Sequence, residues 1–249
     1  MERFVFFGVQ VNAVNLQMVV EEIRNHDFSK TGYVSFPDAY VITQAAKNED
    51  LREILNHSLL TVPDGKMTEL YARRKGYSNV STVSGYWLCK NLLSSALTHY
   101  FLGSTPERIN KIKANIEINF SEAKVLGYSS APFESLSFFK DGNILEKELE
   151  EINKLQPDLI WIGLSSPKQD FLMKHHVPLL KRGIMLGVGA VFDYLSGDVK
   201  KSPEWIKKIG LRWLWRFLKE PKRMLAKDMA IFKMLFVLKF GGLFKRKEQ

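Results

Sequence analysis

Asp64 has the type and the place for acid–base chemistry. It sits in LLTVPDGKMTELYARR, after an apolar run with strand character and before a helical pattern. A carboxylate at the carboxyl end of a strand can serve as a general base once burial adjusts its proton affinity. The plainer reading is an Asp-Gly turn. Three glycine-bearing strand-to-helix junctions offer a second chemistry. In HYFLGSTPERI a strand ends at Gly103, with Ser104 or Thr105 as helix cap and Pro106 in the first turn. In DLIWIGLSSPKQDF a strand ends at Gly163, with Ser166 and Gln169 at capping-box spacing around Pro167. In IMLGVGAVFDYL, Gly187 and Gly189 let a ligand approach the backbone before a short helix. Helix N-termini present amide donors and a positive dipole end, so a group of them suits a diphosphate. Any one junction is ordinary in an α/β domain, and GVGAVF lacks the third glycine of the dinucleotide motif. Three in one chain point to a phosphate ligand.

A departing diphosphate needs its charge neutralised, and metal is not expected to do it. The chain has no Asp-x-Asp and no His-x-x-x-His, and Cys89 is its single cysteine. The adjacent His175 and His176 point to different faces of a helix, so they cannot clasp one ion. No cofactor is expected either. Arginines then become the natural partners. Arg212 and Arg216 stand four apart on one helix face, and Arg223 follows Pro221 after a break. Their plainer reading is a solvated basic face.

An alternating framework must hold these residues. Strand-like runs fall at 4–7, 33–36, 59–62, 99–103, 124–127, 158–163 and 184–188. Helical patterns fall between them at 16–24, 67–75, 106–118, 145–155 and 167–180. The alternation predicts an α/β fold, a parallel sheet with helices on both faces. Ligands of such sheets bind outside the carboxyl ends of the strands.

Charge divides the chain in two. From Asp198 to Gln249 there are 15 Lys or Arg against 5 Asp or Glu, a net +10. The rest holds 21 against 22, a net −1, which together make the overall +9. The boundary expected from this shift separates a catalytic domain, 1–197, from a basic helical appendage, 198–249. The appendage interleaves Trp205, Trp213, Trp215 and several Phe and Met with its cations, as headgroup-level segments do. Lys227, Lys233 and Lys239 interrupt every run long enough to span a bilayer. These lysines point in different directions, so the last helix could instead pack against a second copy of the chain. A single cysteine and no basic leader predict a cytoplasmic protein, peripheral on the inner face of the plasma membrane.

Taken in order, VPDGKMTELYARRKG, YFLGSTPE, PDLIWIGLSSPKQDF and GVGAVFDYLSGDVKKSPEWIKKIGLRWLWRFLKEPKR resemble the WecG/TagA/CpsF glycosyltransferases, glycosyltransferase family 26, over residues 4–223. The resemblance implies a Rossmann-like domain with a helical appendage that meets the membrane and brings arginines to the site. It implies metal-independent, inverting transfer of a sugar, often of N-acetylmannosamine type. The donor would be a UDP-sugar and the acceptor an undecaprenyl-diphosphate-linked sugar, in wall teichoic acid, common antigen or capsule synthesis. By motif position Asp64 becomes the catalytic base, Gln169 a pocket residue, and Arg212, Arg216 and Arg223 the appendage arginines. Ser35, Lys168 and Asp193 join Gly103, Gly163, Gly187 and Gly189 in the expected substrate-binding set. Two departures stand out. A Thr-x-Asn of many members reads Ser35-Phe36-Pro37 here, and a Gly-x-Asp-Leu reads Gly85-Tyr86-Trp87-Leu88. Arg212 also stands where many members have Glu.

The expectation is therefore a glycosyltransferase whose partners are a UDP-sugar, a lipid-linked acceptor and an anionic membrane, with no nucleic acid. Its rival is a non-enzymatic nucleotide- or nucleic-acid-binding module with a basic arm, supported by tail charge alone. Salt separates the two, because nucleic-acid binding collapses with ionic strength and apolar lipid contact survives in part.

Overall fold

The computed structural model describes residues 1–199, and the arginines expected at 212, 216 and 223 lie outside them. The chain opens with β1 (Arg3–Phe6), β2 (Val9–Asn12), α1 (Leu16–Arg24), β3 (Gly32–Ser35), α2 (Ala39–Ala45) and α3 (Glu49–Asn56). It continues through β4 (Leu60–Thr61), α4 (Lys66–Arg74), α5 (Gly85–Leu93), β5 (Thr98–Leu102), α6 (Pro106–Asn119) and β6 (Lys124–Ser129). The last described elements are α7 (Leu136–Lys140), α8 (Glu146–Leu155), β7 (Leu159–Ile162), α9 (Lys168–His176), a 3-10 turn (Val177–Leu179), β8 (Ile184–Gly187) and α10 (Val191–Leu195).

Six strands form a parallel sheet in the order β4-β3-β8-β7-β5-β6. Its central strands are buried on both sides, as continuous runs such as LIWI and IMLG require. Helices α1, α5, α6 and α10 cover one face around Phe101, Trp161, Leu186 and Phe192. On the other face α7, α8 and α9 pack over Tyr100, Leu102, Ile160 and Met185. The expected α/β architecture is therefore present.

One expected strand does not join this sheet. The run at 4–7 becomes β1, paired antiparallel with β2 in a separate hairpin. Phe7 and Gly8, at φ 52° and 83°, form a left-handed two-residue connection that turns the chain straight back. The hairpin packs its Phe4 and Phe6 with α2, α3 and α4 in a third cluster. It also shields the β4 edge, where Asn12 Oδ1 accepts the Thr61 amide at 2.8 Å. Among the described residues no helix is long and apolar enough to cross a membrane.

Candidate active site

The sheet register aligns the carboxyl ends of the strands. Thr61 is level with Ser35, Ser35 with Gly187, Gly187 with Ile162, and Ile162 with Leu102. The expected site residues Asp64, Ser35, Gly187, Gly163 and Gly103 thus follow these ends in that order across the sheet. From β4 to β5 is four strand spacings, roughly 19 Å. Asp64 and Gly103 can share only an extended ligand.

Gly103 and Gly163 mark the place where β5 turns outward to β6 and β7 turns the other way to β8, a topological switch point. Their close approach explains the residue type, since a Cβ on Gly103 would lie 2.9 Å from the Gly163 backbone. Their amides, however, are spent: Gly103 donates to Ser129 and Gly163 to Leu102. The α6 terminus is also filled. Thr105 Oγ1 accepts the Arg108 amide, and the Glu107 carboxylate, lowered in pKa by its own amide and by Thr105, occupies the first turn. Of the two expected caps, Thr105 is the one used.

Five described α-helices begin without a side-chain cap, and three of them bear on the crevice: α4 at Gly65, α5 at Ser84 and α9 at Pro167. They converge. Val83, just before α5, donates to Pro63 beside Asp64 at 2.9 Å. Gly85 packs against Val188 and Val191, at 3.4 and 3.1 Å from where its Cβ would stand. Gln169 in the first turn of α9 reaches Gly187. Around the ends of β4, β3 and β8 there are therefore three positive helix ends, with half-buried Asp64 between the first two. The start of α5 was missed from sequence. The Ser84-Gly85 pair before an apolar run was its signal.

The Ser166–Gln169 pair is not a capping box. Pro167, not Ser166, is the α9 cap residue, and the Gln169 side chain does not reach back to a backbone amide. Instead Gln169 Nε2 donates to the Gly187 carbonyl at 2.7 Å and to Ser166 Oγ at 3.0 Å. The Ser166–Pro167 bond is cis. Burial pushes the pKa of the neighbouring Asp170 up to about 7, with Ser166 lowering it and the Asp38 carboxylate adding to the rise. Ser35 Oγ, Gln169 Oε1 and Asp170 Oδ2 are buried and make no hydrogen bond. Strand alternation turns Ser35 toward the face that α9 covers, as it does Tyr33. Gly189, at φ 48°, leaves room beside Gln169 Oε1, which lies 3.3 Å from where a Cβ would stand.

Two expected binding residues are engaged elsewhere in this structure. Lys168 donates to the Glu134 carbonyl at 2.6 Å and lies over the Phe133 ring. Asp193 is 5 % exposed and paired with Arg108 at 2.8 Å, which joins α10 to α6. Arg108 and Lys111 also grip Asp198, at the start of the basic segment. His176 is buried, with Nε2 accepting the Leu145 amide, while its neighbour His175 turns to a different face. Among the described residues no group of three His, Cys, Asp or Glu is placed to hold a metal ion.

A parallel α/β sheet with a carboxylate and uncapped helix ends at its carboxyl edge is the frame of an α/β enzyme that takes its ligand at that edge, and the sequence specifies the family. The chain belongs to the Glycosyl transferase WecG/TagA/CpsF family, whose model matches residues 4–248. It is 25% identical over 221 residues to the N-acetylglucosaminyldiphosphoundecaprenol N-acetyl-beta-D-mannosaminyltransferase of Bacillus subtilis (strain 168), covering 85% of this chain and 83% of that protein. The protein of the same name from Bacillus spizizenii is 24% identical over 202 residues, 79% of this chain and 75% of the other.

Proposed function

We propose that this glycosyltransferase moves an N-acetylmannosamine-type sugar from UDP to the sugar of a polyprenyl-diphosphate-linked acceptor. The observation that carries the proposal is the position of Asp64, half-buried between the uncapped starts of α4 and α5. In a single displacement, the Asp64 carboxylate takes the proton of the acceptor hydroxyl as that oxygen attacks the anomeric carbon. The bond from that carbon to the β-phosphate oxygen breaks on the opposite face, so the configuration inverts and UDP leaves with the electron pair. Amides and dipole ends of α4, α5 and α9 stabilise the departing diphosphate. Arg216, Arg223 and Arg212 of the appendage supply the rest of the positive charge, and no divalent ion is needed. The full basic segment, 198–249, docks on the anionic inner face of the plasma membrane, where its acceptor is found. Ser35 and Pro37, at the end of β3, are positions through which this chain selects its sugar.

The names of the two Bacillus relatives support donor and acceptor chemistry of this kind. The direct test is UDP release from a panel of UDP-sugars, with and without a short-chain lipid-diphosphate-GlcNAc acceptor. Acceptor-dependent release from one UDP-sugar is the expected result. Release that ignores the acceptor, or none from any donor, overturns the proposal.

A further inference from the structure

Asp64 lies on a short stretch of chain that is tied down on both sides. Before it, the Pro63 carbonyl accepts the Val83 amide at 2.9 Å. After it, in the first turn of α4, Glu69 Oε2 accepts the Thr82 amide at 3.1 Å and the Thr82 hydroxyl at 2.9 Å. Both ties run to consecutive residues that lead into the start of α5. We propose that Glu69 is a positioning residue for the transfer: through Thr82 its carboxylate holds the start of α5 against α4, and so fixes where Asp64 stands between the two helix ends. This rests on the reading of Asp64 as the base.

Glu69 is 5 % exposed, and a carboxylate that deep is destabilising unless its oxygens are met. Both of them are. Oε2 takes the two Thr82 donors, while Oε1 takes Lys66 at 2.6 Å and Arg73 at 3.3 Å. Burial raises its proton affinity, but the bonds from Lys66 and Thr82 outweigh that and leave the pKa lowered. The group therefore stays ionised, and its two oxygens have separate work. The cations lie on α4 itself, three residues before and four after, so they support that helix locally. Thr82 belongs to another segment, which Oε2 joins to α4.

That segment is anchored to the body of the domain, since the Ser81 amide meets the Val14 carbonyl at 3.3 Å. The Thr82 tie then sets where the first turn of α4 lies against it. Asp64 depends on such ties because neither a strand nor a helix holds it. Gly65, at φ 117°, turns the backbone through a conformation that side chains rarely adopt, directly after the base. A base displaced by about 1 Å can cost about 100-fold in rate.

Steady-state kinetics of full-length variants with a short-chain acceptor test this. Glu69→Gln loses the charge but keeps the reach, and its amide oxygen can still accept both Thr82 donors. Glu69→Asp keeps the charge and loses the reach by one methylene. Positioning through Thr82 predicts kcat within about threefold of wild type for Glu69→Gln. It predicts a loss of at least about tenfold for Glu69→Asp, with the donor KM little changed in both. An ion-pair role confined to α4 predicts the reverse order, and that result overturns the inference. Glu69→Ala should lose about 100-fold, and Thr82→Val, which removes the hydroxyl and keeps the amide, should fall between it and wild type. A merely structural Glu69 would lower the melting temperature of Glu69→Asp and leave kcat of the folded protein at the wild-type value, which also overturns the inference. Asp64→Asn, run alongside, separates this role from the reading beneath it. If Asp64→Asn is inactive and Glu69→Asp turns over normally, only the positioning role fails. If Asp64→Asn retains its turnover, the base and the positioning role fall together.

Discussion

The two ends of the parallel sheet treat buried polar groups in opposite ways. At the amino ends, Asp158 before β7 accepts the Thr98 amide and hydroxyl, each at 2.9 Å, and pairs with Arg182 at 2.7 Å. Burial raises its pKa, but the bonds from Thr98 and Arg182 outweigh that and leave it lowered. Nearby, His99 accepts the Trp161 indole proton, and burial drops its pKa to about 4. Its Nε2 is buried and makes no hydrogen bond. At the carboxyl ends, Ser35, Gln169 and Asp170 each keep a buried atom without a partner, and α4, α5, α8, α9 and α10 start without a side-chain cap. Folding alone favours pairing every buried polar group. The amino edge pairs Asp158 fully and leaves two ring nitrogens, His99 Nε2 and His175 Nε2, without a partner. The carboxyl edge leaves the acceptor Gln169 Oε1 and free helix-end amides together, which makes sense if a ligand bearing both hydroxyl donors and anionic oxygens completes them.

Substitutions at the two edges should therefore separate activity from stability. Asp64→Asn carries the largest expected effect. It keeps the shape of the side chain and removes the base, so turnover should fall about 100- to 10,000-fold while melting temperature and UDP affinity stay near wild type. Retention of a tenth of wild-type turnover would remove Asp64 from the mechanism. Next come Arg216→Ala and Arg223→Ala, each expected to cost roughly 100-fold with a soluble acceptor. Vesicle binding should barely change, since one cation contributes about 1 kcal/mol at an anionic surface. Wild-type turnover in both would make the appendage an anchor alone.

The amino edge should answer in the other currency. Asp158→Ala strands the Thr98 amide and should cost about 1–3 kcal/mol of stability, with kcat of the folded fraction unchanged. Because the folded pKa of Asp158 is lowered, its contribution is present above the ordinary carboxylate range and lost as pH falls through the folded value. Wild-type and variant melting temperatures should converge in acid. Lost turnover in the folded variant would mean that the two edges are coupled, and the contrast drawn between them would fail.

This contrast was only partly legible in the sequence. Apolar runs closed by Gly103, Gly163 and Gly187 announce strand ends, and the β-rich and helical segments alternate as the sheet requires. What the glycine amides bond to is decided across strands. Gly103 meets Ser129, Gly163 meets Leu102, and Val188 and Gly189 both meet Ile162, so all three junctions have backbone amides taken across strands. The run at 4–7 has the same pattern whether it enters a sheet or a hairpin, and only the backbone at Phe7 and Gly8 decides. Asp170 reads as an ordinary acid in the first turn of a helix. Its burial, and the rise in proton affinity that burial and Asp38 cause, are tertiary facts.

The smallest expected effect is that of a chelator. If helix ends and arginines neutralise the leaving diphosphate, removing divalent ions should leave turnover within about twofold of the untreated enzyme. A metal-dependent alternative needs acidic ligands near the phosphates. Around the crevice Asp64 stands between α4 and α5, Asp38 caps α2 by accepting the Val41 amide and interacts with buried Asp170, and Asp193 pairs with Arg108; among the described residues no three such groups are placed to hold an ion. Spending Asp64 as a metal ligand would also take away the base. Measured with purified protein, a soluble acceptor and EDTA, a loss of activity restored by magnesium or manganese would transfer diphosphate neutralisation from the helix ends to a cation. It would also give the unpaired acceptors of the carboxyl edge a different partner from the one proposed.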